Sequence, residues 1–240
     1  MTDILTIRGL AKNFQRPVIA GLNITIAPGE FYALLGPNGA GKTTTLRMIA
    51  GLLKPDSGEI SICGINVLTR PLEAKARIAW LPDEPLIYDR LTPMEYLEFV
   101  AGLWRVDPML AKSRAEELLE TFNLWPHRNE RCEGFSRGMK QKCILAGALI
   151  HEPDLFILDE PLTGLDAASA RLVKSILQSR ADAGAAIILT THILDVAQHL
   201  ATRIGILSGG TLRAEGSFAE LGAAYGGGSL EDVFLRLTQS

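Results

Sequence analysis

Gly36-Pro37-Asn38-Gly39-Ala40-Gly41-Lys42-Thr43 fits the pattern G-x-x-x-x-G-K-[ST], in which a curled backbone and one lysine grip a row of phosphates. The residues before it, Phe31-Tyr32-Ala33-Leu34-Leu35, form an apolar run that reads as a buried strand. Those after it, 44–51, read as the first turns of a helix. This strand–loop–helix context distinguishes a working phosphate loop from a chance match. Glycines let successive N–H groups turn inward toward an anion. The helix start adds its partial positive charge. Lys42 can reach the β- and γ-phosphates of a nucleotide, and the Thr43 hydroxyl can hold Mg²⁺. A glycine-rich turn with no ligand would require neither residue.

A second element lies far downstream. Leu155-Phe156-Ile157-Leu158-Asp159-Glu160 is an apolar strand ending in two carboxylates. Adjacent carboxylates beside a polyphosphate repel it, and each other, unless a cation and a proton-accepting role accompany them. Asp159 is therefore expected to face Mg²⁺, and Glu160 the gap where a hydrolytic water sits. Between the two elements stands Phe135-Ser136-Arg137-Gly138-Met139-Lys140-Gln141-Lys142, with helical sequence from Cys143 to Ile150. Ser136 at a helix start, with Gly138 permitting close backbone approach, is a second candidate anion site. On its own it would also serve as an ordinary helix cap.

Outward from these motifs the chain alternates between strands and helices. Residues 3–9, 22–26 and 60–63 carry strand patterning, and 77–81 read as another strand. From about 92 to 124 the pattern is helical, with Met94, Leu97, Ala101 and Trp104 on one face and Ala115, Leu118, Leu119 and Phe122 on the next. Strands return at 155–158 and 186–189, separated by helical 167–182. Their unbroken apolar character suits strands covered on both faces. The expected organisation is an α/β nucleotide-binding core, about 1–91 and 151–225, interrupted by a helical insert near 92–150. Gly226-Gly227-Gly228 then breaks the chain before an amphipathic helix of about 229–239. Leu230, Val233, Phe234 and Leu237 form its apolar face, and Ser229 and Asp232 form its cap. Docking of this helix onto its own domain is favoured over a partner site.

Composition excludes several classes. The 240 residues are 47% hydrophobic and 21% charged, with a net charge of −3 and both signs mixed along the chain. That is enough chain for one large folded domain or two small ones. No basic stripe points to nucleic acid, and no run approaches the ~18 apolar residues of a membrane span. The start, Met1-Thr2-Asp3-Ile4, has no basic region or apolar core of a secretory leader. Cys63, Cys132 and Cys143 lack metal-binding spacing and read as reduced thiols in a cytosolic protein.

Taken in order, these motifs resemble the ATP-binding cassette (ABC) ATPases over essentially the full chain. Gly36–Thr43 is similar to Walker A and Leu155–Glu160 to Walker B. Phe135–Met139 resembles the family signature, with Arg137 in place of its first glycine. Leu165-Asp166 resembles the D-loop, and His192 the switch histidine. Phe14 falls where an aromatic ring stacks on adenine. Phe135–Lys142, Trp80-Leu81-Pro82-Asp83-Glu84-Pro85 and Thr191-His192-Ile193-Leu194 look like exporter ATPases made separately from their permease, Ecs-type subunits in particular. Where the family's Q-loop offers glutamine or glutamate, this chain has Asp83, which is either a shorter ligand for Mg²⁺ or water, or a loop acid.

The resemblance implies an α/β fold: a P-loop NTPase core with a mixed sheet, an N-terminal antiparallel β-subdomain and an inserted helical subdomain. It implies ATP and Mg²⁺ as ligands. Phe14, Gly36, Pro37, Asn38, Gly39, Ala40, Gly41, Lys42, Thr43 and Thr44 would contact the nucleotide. Ser136 and Gly138 would contact the nucleotide of a second cassette paired head to tail. Thr43, Asp159 and Asp83 are the metal candidates. Glu160, His192 and Lys42 would carry hydrolysis. Partners would be the second ATPase domain and an integral-membrane permease, with no nucleic acid, and the chain would sit peripherally on the cytoplasmic face of the membrane. The permease's cytoplasmic helix would dock near Asp83–Leu103, where Leu86 and Tyr88 are exposed candidates unless they pack in the insert.

Two other readings are weaker. Translation-type soluble cassette proteins carry two cassettes, and DNA-repair types place a long coiled coil between Walker A and the signature. The interval from Gly36 to Ser136 has no room for one. A regulator without turnover would lose Glu160 or His192, and both are present.

Overall fold

The computed structural model describes residues 2–84, 86–226 and 228–238. Pro85 of the exporter-like stretch, Gly227 of the glycine break and position 239 of the expected tail helix lie outside the described residues.

The chain opens with β1 (Leu5–Asn13), β2 (Pro17–Ile26) and β3 (Phe31–Leu35), followed by α1 (Lys42–Ile49). Next come β4 (Ser57–Ile62), β5 (Ile65–Asn66), α2 (Pro71–Lys75) and β6 (Ile78–Leu81). Three helices follow, α3 (Pro93–Leu103), α4 (Pro108–Thr121) and α5 (Arg137–Leu149). The rest is β7 (Leu155–Asp159), α6 (Ala167–Asp182), β8 (Ala186–Thr190), α7 (Leu194–Leu200), β9 (Arg203–Ser208), β10 (Thr211–Gly216), α8 (Phe218–Tyr225) and α9 (Leu230–Thr238).

Two sheets result. One is antiparallel, ordered β2-β1-β4-β5; the other is ordered β10-β9-β3-β8-β7-β6 and is parallel except for β10. Side chains alternate across a strand. Phe31, Ala33 and Leu35 of β3 therefore enter one core with Phe156, Leu158, Ile187 and Leu189, lined also by α3–α6. Tyr32 and Leu34 enter a second core with the N-terminal sheet and α1. Both faces of the central strands are filled, which is why β3, β7 and β8 are buried at every position and read as unbroken apolar runs.

This topology builds the site. β3, β8, β7 and β6 are parallel neighbours, so their carboxyl ends share one edge of the sheet. Leu35 leads into the phosphate loop, Thr190 into Thr191-His192, Asp159 into Glu160, and Leu81 toward Asp83. Asp159 lies in register with Thr190.

The helical insert is stabilised locally at each start. Thr92 and Glu95 form a reciprocal capping box on α3, and the Asp107 carboxylate accepts from Met109 and Leu110 N–H on α4. Each such cap is worth about 1 kcal/mol. Leu97, Ala101, Ala115, Leu118, Leu119 and Phe122 are buried as their helical spacing predicts.

Several boundaries differ from the sequence reading. β1 runs on to Asn13 through irregular pairing beyond Ile7, where the reading stopped at Gly9. Helix α1 starts at Lys42 instead of residue 44, because Gly41 at φ 105 turns the chain straight into the helix. The reading also missed β5, α2, β9, β10, α7 and α8. The tail helix α9 buries Leu230 and Val233 against its own chain, and Ser229 and Asp232 cap it reciprocally, as expected.

Candidate nucleotide site

Gly41 cannot be replaced by another residue without rebuilding the loop. Its φ of 105 lies in the left-handed region, and a Cβ there would stand 2.5 Å from Ile19 Cδ1 and 2.9 Å from Val18 O. No side chain caps α1, so its first N–H groups are left for an anion. Lys42 Nζ folds back onto the carbonyls of Gly36 (2.6 Å) and Pro37 (3.1 Å). Burial lowers its pKa, and Glu160 and Asp159 oppose that shift.

Two cavities meet at this loop. The larger, about 1000 Å³, is walled by Gly36, Pro37, Asn38 and Lys42 on one side and by Asp83, Glu84, Glu160 and His192 on the other. Arg137, Thr163, Thr191, Leu194 and Phe234 also reach it. The second, about 310 Å³, runs along the outer side of the loop past Gly39, Ala40, Gly41, Thr43 and Thr44 to Phe14, Arg16 and Val18. Phe14 is 61% exposed beside the loop, with Lys12 Nζ over its ring at 5.5 Å from the centroid.

Glu160 takes a positive φ of 50, a conformation that costs a non-glycine residue about 1 kcal/mol or more and that concentrates at functional positions. His192 Nδ1 lies 2.9 Å from Glu160 Oε2. Burial raises the Glu160 pKa, and the hydrogen bond and charge of His192 pull against that rise. Asp159 is buried and accepts from the Thr190 hydroxyl. The structure therefore brings Lys42, Asp83, Glu160 and His192 to one cavity, with Asp159 at the strand end beneath.

Ser136 and Gly138 line neither of these cavities. Ser136 is exposed at the start of α5, where its hydroxyl accepts from Met139 N–H at 3.2 Å. Asp166 caps α6 by accepting from Ser169 N–H at 2.8 Å, which holds the carboxyl below the usual range. Leu86 is 81% exposed; Tyr88 is 63% exposed but meets Phe99 of α3 edge to face, with ring centroids 5.2 Å apart. The sequence reading overlooked Arg137, Glu84, Thr163 and Phe234 as cavity residues. Thr163 Oγ1 is buried without a hydrogen-bond partner.

Among the described residues no helix is long and apolar enough to cross a membrane, and no three His, Cys, Asp or Glu side chains gather as a ready metal site.

The chain matches the "ABC transporter" family model over residues 19–163. It is 33% identical to the ABC-type transporter ATP-binding protein EcsA of Bacillus subtilis, over 99% of this chain and 97% of that protein. It is 36% identical to a Nod factor export ATP-binding protein I of Paraburkholderia xenovorans, over 92% of this chain and 72% of that protein. A solved structure described as the ATP binding subunit of an ABC transporter superposes with a TM-score of 0.93 at 32% identity, covering 98% and 99% of the two chains. The chain belongs to the ABC transporter family. Within it, this is an ATP-binding subunit with the fold of an ABC ATPase.

Proposed function

We propose that the chain binds Mg-ATP in the two cavities flanking Gly36–Thr43 and powers a separate permease, in the export direction. The carrying observation is the convergence of Lys42, Glu160 and His192 on one cavity. Adenine stacks on Phe14, and the triphosphate lies along the loop N–H groups and α1. Thr43 and Asp159, with Asp83 directly or through water, would hold Mg²⁺, which supplies positive charge to the phosphate oxygens. Lys42 leaves the Gly36 and Pro37 carbonyls for the phosphates. Glu160 accepts a proton from the attacking water, a role suited to a carboxyl whose pKa burial has raised. His192 contacts the γ-phosphate and registers its loss. Export is supported by the name of the relative, a Nod factor export ATP-binding protein, and by the exporter-like motifs.

In this reading Ser136 and Gly138 act on the nucleotide of a second cassette. Their position outside their own chain's two cavities supports that. Ser136→Arg is expected to leave ATP affinity of the dilute monomer within about twofold while abolishing ATP-driven dimerisation and turnover. Equilibrium binding below the dimerisation concentration checks this; a loss of monomer affinity as severe as that of Lys42→Ala would refute the shared site.

The function itself is tested by purifying the chain from native membranes and identifying what accompanies it. An integral-membrane permease that stimulates hydrolysis is the expected result, and a ribosomal or DNA-bound assembly would favour the soluble alternative. In the permease complex, Asp83→Ala should lose most of the stimulation while ATP affinity changes little. Asp83 lines the cavity and is followed closely in the chain by exposed Leu86 and Tyr88, proposed for docking. Unchanged stimulation would make Asp83 a loop acid.

A further inference from the structure

Gln141 is a polar side chain only 1% exposed, inside an otherwise apolar helix face that also buries Cys143, Ile144 and Leu145. Such a group is costly to bury unless it is hydrogen-bonded. Its Nε2 donates to the carbonyl of Pro161 at 3.1 Å. Pro161 is the residue after Glu160, whose backbone is held in its positive-φ conformation. The turn around it has two other anchors, Glu160 N–H to Thr190 O (3.2 Å) and Thr163 N–H to Glu160 O (3.1 Å). Both of those come from the core or from the turn itself. Gln141 is the anchor that comes from the helical insert.

A second contact joins the same two segments. Gly164, at φ +80, lies under the Arg137 side chain; a Cβ there would stand 3.0 Å from Arg137 Cδ and Nε. A Cβ on Gly138 would stand 3.4 Å from Gly164 O. The start of α5 and the segment from Glu160 to Leu165 are therefore in contact at both ends, through Arg137 and Gly138 at one and Gln141 at the other.

We propose that Gln141 is a positioning residue for Glu160: its amide, bound to Pro161 O, fixes the turn that aims the carboxylate into the cavity and joins it to the signature helix. This rests on the catalytic role proposed for Glu160. Ser136, on the first turn of the same helix, serves the partner's nucleotide in that reading. A rigid helix then links the grip on one nucleotide to the aim of the base at the other.

The test is Gln141→Met in the full chain. Methionine keeps the length and fills the buried volume but cannot donate. Steady-state hydrolysis of Mg-ATP should show kcat reduced about ten- to a hundredfold, the scale of a misplaced catalytic group, with KM within about twofold. In single-turnover measurements on the Glu160→Gln background, adding Gln141→Met should cause no further loss, since residues acting through one group are not additive. Gln141→Asn, which retains a shorter donor, should fall between Gln141→Met and wild type, and it serves if the methionine variant does not fold. A kcat within threefold of wild type, or an equal further loss in the Glu160→Gln background, would overturn the positioning role alone. A wild-type chain without ATPase activity would overturn the catalytic reading beneath it as well.

Discussion

Glu160→Gln is expected to form an ATP-bound dimer that closes and then fails to reopen. Glutamine preserves the shape of the side chain and can still meet His192 Nδ1, which lies 2.9 Å from Glu160 Oε2. It cannot accept a proton from water, and general-base assistance is worth about 10²–10⁴ in rate. Turnover should fall by about that factor. The substitution also removes a negative charge from a cavity already lined by Asp83 and Glu84. A γ-phosphate entering that cavity then meets less repulsion, so ATP is held more tightly. Closure follows from binding and reopening from hydrolysis, a population shift driven by the ligand. Size-exclusion chromatography at high protein concentration with Mg-ATP should therefore show a larger species for the variant than for wild type, and EDTA should dissolve it. Hydrolysis near the wild-type rate would remove Glu160 from the role of base.

Lys42→Ala is expected to abolish turnover and to weaken ATP binding. The ammonium is held by two loop carbonyls, Gly36 O at 2.6 Å and Pro37 O at 3.1 Å, at the wall of the large cavity. Its burial disfavours the charged form, and Glu160 and Asp159 partly restore it. An anionic phosphate would restore it further, so the lysine is poised to exchange neutral acceptors for charged ones. Removing a donor aimed at transition-state charge costs about 10²–10³ in rate, and here the donor also carries a full charge. Hydrolysis and equilibrium nucleotide binding on the purified variant check this. The fold should survive, since the carbonyls it leaves border an open cavity. Wild-type hydrolysis by Lys42→Ala would refute the phosphate-loop assignment.

The central strands were legible in sequence because β3 is apolar throughout and leads into a glycine-rich loop, while β7 and β8 are apolar up to their last residues, Asp159 and Thr190. The helices of the insert were legible from the spacing of Leu97, Ala101, Ala115 and Leu119. The β9–β10 hairpin was missed although Ile204 to Leu207 is apolar and Gly209-Gly210 marks the turn. Its order beside β3 depends on long-range pairing that no local pattern encodes. Gln141 was invisible for a related reason. A lone glutamine in a helix usually faces water, and only the packing of α5 under the Glu160–Pro161 turn buries it.

Local sequence alone dictated the phosphate loop, the acid pair at 159–160 and the caps at Thr92, Asp107, Ser136 and Asp166, since each depends on neighbours within a few residues. Bringing Asp83, Glu160 and His192 within one cavity required parallel pairing of β6, β7, β8 and β3, because carboxyl ends share an edge only when the strands run the same way. The left-handed backbone of Glu160, the hydrogen bond from Gln141 to Pro161 and the passage of Arg137 over Gly164 belong to the assembled fold. The last two join segments well separated in the chain, and such contacts take their geometry from the packed core, not from the residues beside them.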